Sequence, residues 1–148
     1  FSGSAGYSIR YWFWYNFNDF PQGPDVEGSH PGDWEYVQLF FYNNNTLYQV
    51  NFSNHTGARK KGPGQVYMTD NHVHVWVGNG SHANYESQNP PDIYCWGPWC
   101  DEVNGFGPVW TCINLVNVYK TTFGRDNYCG DWGDGDGVFG PPCRKFSD

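Results

Sequence analysis

Period-two alternation dominates this chain. From Tyr7 to Phe17 the odd positions Tyr7, Ile9, Tyr11, Phe13, Tyr15 and Phe17 share one face, and Arg10, Trp12 and Trp14 fall on the other. Both faces are largely aromatic, which predicts a central strand packed on both sides. A loop rich in Pro, Gly and Asp runs from Asn18 to Gly32, and alternation resumes from Asp33 to Phe41. There the odd positions read Asp33, Glu35, Val37, Leu39 and Phe41, a face that is acidic at its start and apolar afterwards. That side of the strand is expected to leave the core and reach a cleft or rim where carboxylates meet water or substrate.

Further along, Asn43-Asn44-Asn45 predicts a turn, Thr46 to Phe52 a third strand, and Ser53 to Gly64 a polar loop. Gln65 to Met68, His72 to Val77 and Val109 to Tyr119 read as strands, with a long Pro-rich loop through Cys100. Seven or so short strands between Gly/Pro turns, with no repeat and no second hydrophobic block, predict an all-β fold. The expectation is one antiparallel β-sandwich over residues 1–148 with long loops and local disulfides.

Composition sharpens this picture. Aromatic residues make up 20% of the 148 positions, with 19 Gly and 10 Pro, a mix that suits strands and tight turns. The net charge of -7 offers no basic stripe for phosphates, so nucleic acid and anionic membranes are unlike partners for it. The one basic cluster, Arg59-Lys60-Lys61, is expected to be a solvated loop. Five cysteines and sequons at Asn44, Asn51, Asn54 and Asn79 point to the secretory pathway and a secreted, extracellular protein. Cys95 with Cys100 and Cys129 with Cys143 are the simplest bridges, leaving Cys112 as a buried thiol in a strand. No apolar run reaches the roughly 18 residues of a membrane span, and no charged leader is visible. The chain reads as a mature form, or as the catalytic module of a larger secreted protein, and as a monomer.

Candidate chemistry centres on Asp33 and Glu35. Same-face neighbours on a strand lie roughly 6.6 Å apart at Cα, since each residue rises about 3.3 Å. Two carboxylates held that close do not both ionise easily, which provides an acid and a base at one pH. Glycosidases of N-acetylated sugars use Asp-x-Glu in this way: the Glu protonates the glycosidic oxygen, and the Asp orients the acetamido group that attacks the anomeric carbon. Glu35 is thus the expected general acid/base and Asp33 the acetamido partner, with no cofactor. His82, in the Gly80-Ser81-His82 loop, is expected to position a carboxylate or to tie down a turn. His30, Trp34, Asn84 and Tyr85 are candidate substrate contacts, and Trp96, Trp99, Trp110 and Trp132 are candidate platforms for sugar rings. His72 and His74 share a strand face and read as surface residues rather than a chelating pair. The acids of 131–137 alternate as in calcium loops but lack the closing Glu, so a disulfide-bracketed surface loop is expected.

Three segments together carry a family resemblance. Tyr11 to Phe17, then His30-Pro31-Gly32-Asp33-Trp34-Glu35-Tyr36-Val37, then Gly80-Ser81-His82-Ala83-Asn84-Tyr85 look like domains of the vacuolar protein sorting 62 family. The segment from Trp132 to Pro141 is similar to that family's end. The His-x-x-Asp-Trp-Glu spacing is similar to the signature of necrosis-inducing secreted toxins, which hold a divalent metal on a β-sandwich. That resemblance implies a metal-dependent glycan-binding or cytolytic module, with Asp19, His30, Asp33 and Glu35 as ligands, although Pro31-Gly32 replaces the toxins' Arg-His pair. In size and style the chain also resembles secreted fungal muramidase catalytic domains, which implies peptidoglycan as substrate, with chitin as the alternative.

Overall fold

A computed structural model describes residues 6–20, 29–55, 57–103, 131–132 and 138–139. Its frame is a four-stranded antiparallel sheet of β1 (Tyr7–Asn18), β2 (His30–Phe41), β3 (Leu47–Asn54) and β4 (Gly57–Lys61), in that order. Two-stranded ribbons complete it: β5 (Met68–Thr69) with β6 (His72–Val73), β7 (Trp76–Val77) with β8 (Asn84–Tyr85), β9 (Cys95–Trp96) with β10 (Trp99–Cys100), and β11 (Asp131–Trp132) with β12 (Val138–Phe139). The expected all-β antiparallel fold is present, with a single 3-10 turn at Pro63–Gln65 among the described residues.

The register explains why each strand forms. β1 pairs with β2 from Tyr7↔Phe41 to Asn18↔His30, so Tyr11 faces Val37, Phe13 faces Glu35 and Tyr15 faces Asp33. β2 pairs with β3 through Val37↔Phe52 and Leu39↔Val50. Val37, Val50 and Phe52 form a buried cluster with Phe13, Leu39, Leu47, Val66, Val73 and Val75 against it. Full burial of a side chain such as Val50 or Phe52 contributes about 1.5–3 kcal/mol. On the opposite face Arg10 lies over the Tyr36 ring at 4.6 Å and donates from Nε to Gln38 Oε1 at 2.9 Å. A second cluster of Ala83, Tyr85 and Val103, with Trp76 and Ile93 beside it, sits under β8.

Several local expectations change. Among the described residues β1 is at the edge of the sheet, paired only with β2, and its Tyr7, Ile9, Trp14 and Phe17 are exposed. Aromatic density there provides cross-strand packing onto β2, such as the tilted contact of Trp14 with Trp34 at 5.0 Å. Arg59-Lys60-Lys61 is strand β4, not a solvated loop, because Arg59 and Lys61 are drawn into ion pairs with Glu86. His72 to Val77 divides into β6 and β7, where His74 bonds Thr69 Oγ1 through Nε2 at 2.9 Å. The turn at Asn43-Asn44-Asn45 forms as expected, with Asn45 at φ 64°. Asn44 and Asn79 are exposed, whereas Asn51 and Asn54 are buried in β3 and closed to a glycan. Cys95 and Cys100 form the expected disulfide. Cys112, Cys129 and Cys143 lie outside the described residues, as does the strand expected from Val109 to Tyr119.

Candidate functional site

β2 places Asp33 and Glu35 on one face, opposite Tyr15 and Phe13. They are only 2% and 4% exposed, so the acidic start of the strand is not an open rim. Polar groups from three other segments close over it, and burial of a carboxylate is tolerable where donors replace water. Asn18, the last residue of β1, donates through Nδ2 to Asp33 Oδ2 at 3.3 Å and to the Ser81 carbonyl at 3.1 Å. The same amide accepts the Phe20 N–H at 3.0 Å on Oδ1, which locks its orientation. His82 Nδ1 faces Asp33 Oδ2 at 3.1 Å, and the Tyr15 ring stacks on the imidazole at 3.9 Å with a 4° interplanar angle. His82 sits at φ 58°, a strained position for a residue with a Cβ, which its neighbours hold in place.

Glu35 is fixed by a break in the sheet. The β2–β3 ladder ends at Val37↔Phe52, and the next N–H, that of Tyr36, goes to Ser53 Oγ at 2.7 Å. That hydroxyl also accepts from Asn84 Nδ2 at 3.1 Å and donates to Glu35 Oε2. With one donor and two acceptor sites all engaged, Ser53 has a single orientation and aims its proton at Glu35. Asn84 gives a second bond to the Tyr36 carbonyl at 3.4 Å, while its Oδ1 is buried without a hydrogen-bond partner among the described residues.

A second carboxylate–imidazole pair adjoins the first. Asp101 lies 3.1 Å from His55 Nε2, accepts from the Tyr85 hydroxyl, and accepts from Ser81, the residue before His82. Burial pushes Asp101 up, but the bonds from His55, Tyr85 and Ser81 outweigh it and hold the carboxyl below its ordinary range. Burial, reinforced by Asp101, pushes the Tyr85 phenol well above its ordinary value. Tyr94 stacks on His55 at 4.2 Å, and Phe20 leans on it at 4.8 Å. Asn18 and Ser81 thus join the two pairs into one network.

The sequence candidates divide accordingly. Asp33, Glu35 and His82 lie together. Asn84 and Tyr85 are buried and bond into the network, whereas Trp34 is buried on the other face of β2 against Trp12 and Trp14. His30 is half-buried at the start of β2 with Nδ1 on the Gly32 carbonyl at 3.0 Å. Asp19 is exposed, its Oδ1 3.4 Å from Ser29 Oγ. Asp19, His30, Asp33 and Glu35 do not converge as a metal site, and among the described residues no cluster of three or more His, Cys, Asp and Glu could hold an ion. Asn18, Ser53, Ser81, His55 and Asp101 were not singled out for this site by their sequence.

No protein-family model matches the chain, and no curated protein or solved structure matches it either.

Proposed function

We propose that this protein is a secreted glycoside hydrolase of polysaccharides containing N-acetylated amino sugars, with peptidoglycan the first substrate and chitin the second. The observation that carries the reading is the placement of Asp33 and Glu35 on one strand face, nearly dry, with Asp33 bound by an amide and an imidazole and Glu35 by a hydroxyl. Glu35 gives its proton to the glycosidic oxygen. Asp33 orients the acetamido group, whose oxygen attacks the anomeric carbon, and its charge stabilises the oxazolinium ion that forms. His82 positions Asp33 and does not itself meet the reacting atoms. The Tyr15 ring stacks on the imidazole that holds Asp33.

Glu35→Gln tests this. Glutamine keeps the shape and a hydrogen bond but has no proton to give, so release of reducing ends from peptidoglycan should fall about 100-fold to 10,000-fold. Polymer binding should persist. Activity within a few-fold of the parent would remove Glu35 as the acid, and with it the Asp-x-Glu mechanism.

A further inference from the structure

Two exposed indoles stand at the tip of a hairpin whose root lies in the site. Tyr94 and Asp101 are that root: the Asp101 N–H donates to the Tyr94 carbonyl at 2.9 Å, the Tyr94 ring stacks on His55, and the Asp101 carboxylate pairs with the same imidazole. The Tyr94 N–H is further tied to the Tyr85 hydroxyl at 3.2 Å. From there β9 and β10 pair Cys95 with Cys100 and Trp96 with Trp99, turning through Gly97-Pro98 with Gly97 at φ 59°.

Two residue pairs make a ladder too short to hold itself in water, and the Cys95–Cys100 disulfide supplies the missing constraint. What is constrained does not serve the core. Trp96 and Trp99 are 46% and 43% exposed and belong to neither buried cluster. Leaving tryptophan in water forfeits one of the largest apolar burials a side chain can offer, so a rigid display of two is expected to meet something. Their ring centroids are 6.4 Å apart and tilted by 45°, close enough to act as one cupped surface. The segment from Asp92 to Val103 contains Asp92, Asp101 and Glu102 and no Lys or Arg. Arg59 and Lys61 reach its start at Asp92 but are engaged there by Asp92 and Glu86, so the indole pair offers phosphates and anionic lipids little counter-charge. An uncharged ring with an apolar C–H face is the chemistry that suits it.

We propose that Trp96 and Trp99 form a sugar-stacking subsite that takes N-acetyl amino sugar units of the polymer strand. The choice of sugar rests on the hydrolase reading, but the test reads binding and needs no catalysis. Trp96→Ala and Trp99→Ala should each reduce the fraction of protein bound to insoluble chitin or peptidoglycan about tenfold. Tyr67→Ala, which removes an exposed aromatic elsewhere, should leave it unchanged. In the unaltered protein, the indole N–H resonances of Trp96 and Trp99 should shift on titration with N-acetylglucosamine oligomers, a readout that does not depend on how any variant folds. Unshifted resonances together with full polymer binding by both variants would overturn the subsite, even if hydrolysis is observed. Binding to phosphatidylcholine vesicles with none to polymer would overturn it in favour of a lipid surface. Tryptophan-dependent polymer binding without hydrolysis would support the subsite and count against the catalytic reading alone.

Discussion

Two sets of buried acids sit within this small fold, and they are held in opposite ways. Glu86, 5% exposed, is gripped by permanent cations: Arg59 Nη2 at 3.2 Å and Lys61 Nζ at 2.7 Å. Asp33, 2% exposed, takes an amide and an imidazole, and His82 is its one ion-pair partner among the described residues. A carboxylate fixed between two cations is committed to its charge and to its place, and its removal leaves those cations buried. One held by neutral or titratable donors can exchange partners and protons. The first is architecture, tying β4 to the segment after β8. The second is the set on which the proposed chemistry rests.

Glu86→Ala should therefore give the largest loss of stability, about 3–5 kcal/mol in urea unfolding, since Arg59 and Lys61 keep their burial, lose their buried acid and retain only the exposed Asp92. Asp33→Asn keeps the shape and removes charge-assisted bonds only, at about 1–3 kcal/mol. Equal losses would erase the distinction between the two sets.

Acid tests how firmly the first is held. For Glu86, burial alone would raise the pKa, but the bonds from Lys61 and Arg59 outweigh it and hold it below the ordinary 4.5. Asp101 is likewise held below 3.8. A carboxylate whose folded pKa is depressed binds its proton more readily when unfolded. Its stability contribution is complete above the unfolded value and is lost as pH falls through the folded one. Unfolding free energy should decline from about pH 5 downwards in the parent, and Glu86→Gln should flatten much of that slope. An unchanged slope in Glu86→Gln would show that other carboxylates control acid unfolding.

His82→Gln touches the opposite set. It should lower hydrolysis by less than Glu35→Gln, about 100-fold at most, mainly in kcat, because it misplaces Asp33 without removing a reacting group. Thermal stability should move little. A loss equal to that of Glu35→Gln would give His82 a direct part in proton transfer.

How much of this the sequence disclosed depended on whether the signal was local. Alternation from Tyr7 to Phe17 and from Asp33 to Phe41 located β1 and β2, and the Asn43-Asn44-Asn45 turn that follows β2 lies where its residue types require. The same alternation misplaced the acids at a rim, because Asn18, Ser53 and Ser81-His82, which bury them, arrive from other strands and loops. Ser53 differs from any other strand serine only in where the β2–β3 ladder stops. Asp101 and His55 are 46 residues apart, and nothing in either neighbourhood announces the other. Arg59 and Lys61 read as solvated because Glu86, their shared partner, follows 25 residues after Lys61.

The smallest expected effect tests the basis of the comparison, which is burial and not the number of ion pairs. Asp92 also contacts Arg59, with Oδ1 at 2.5 Å from Nη2, and that bond comes first among the influences that hold its carboxyl below the ordinary range. Yet its side chain is 66% exposed, so water already solvates the charge and salt screens the pair. Ion pairs of this kind contribute about 0–1 kcal/mol. Asp92→Asn should thus reduce stability by under about 1 kcal/mol, and by less still in 1 M salt. Arg59 loses little because Glu86 continues to hold it. A loss near that of Glu86→Ala would mean that Asp92 anchors Arg59 in the ion-pair cluster, and the contrast between buried and exposed partners would have to be redrawn around the arginine.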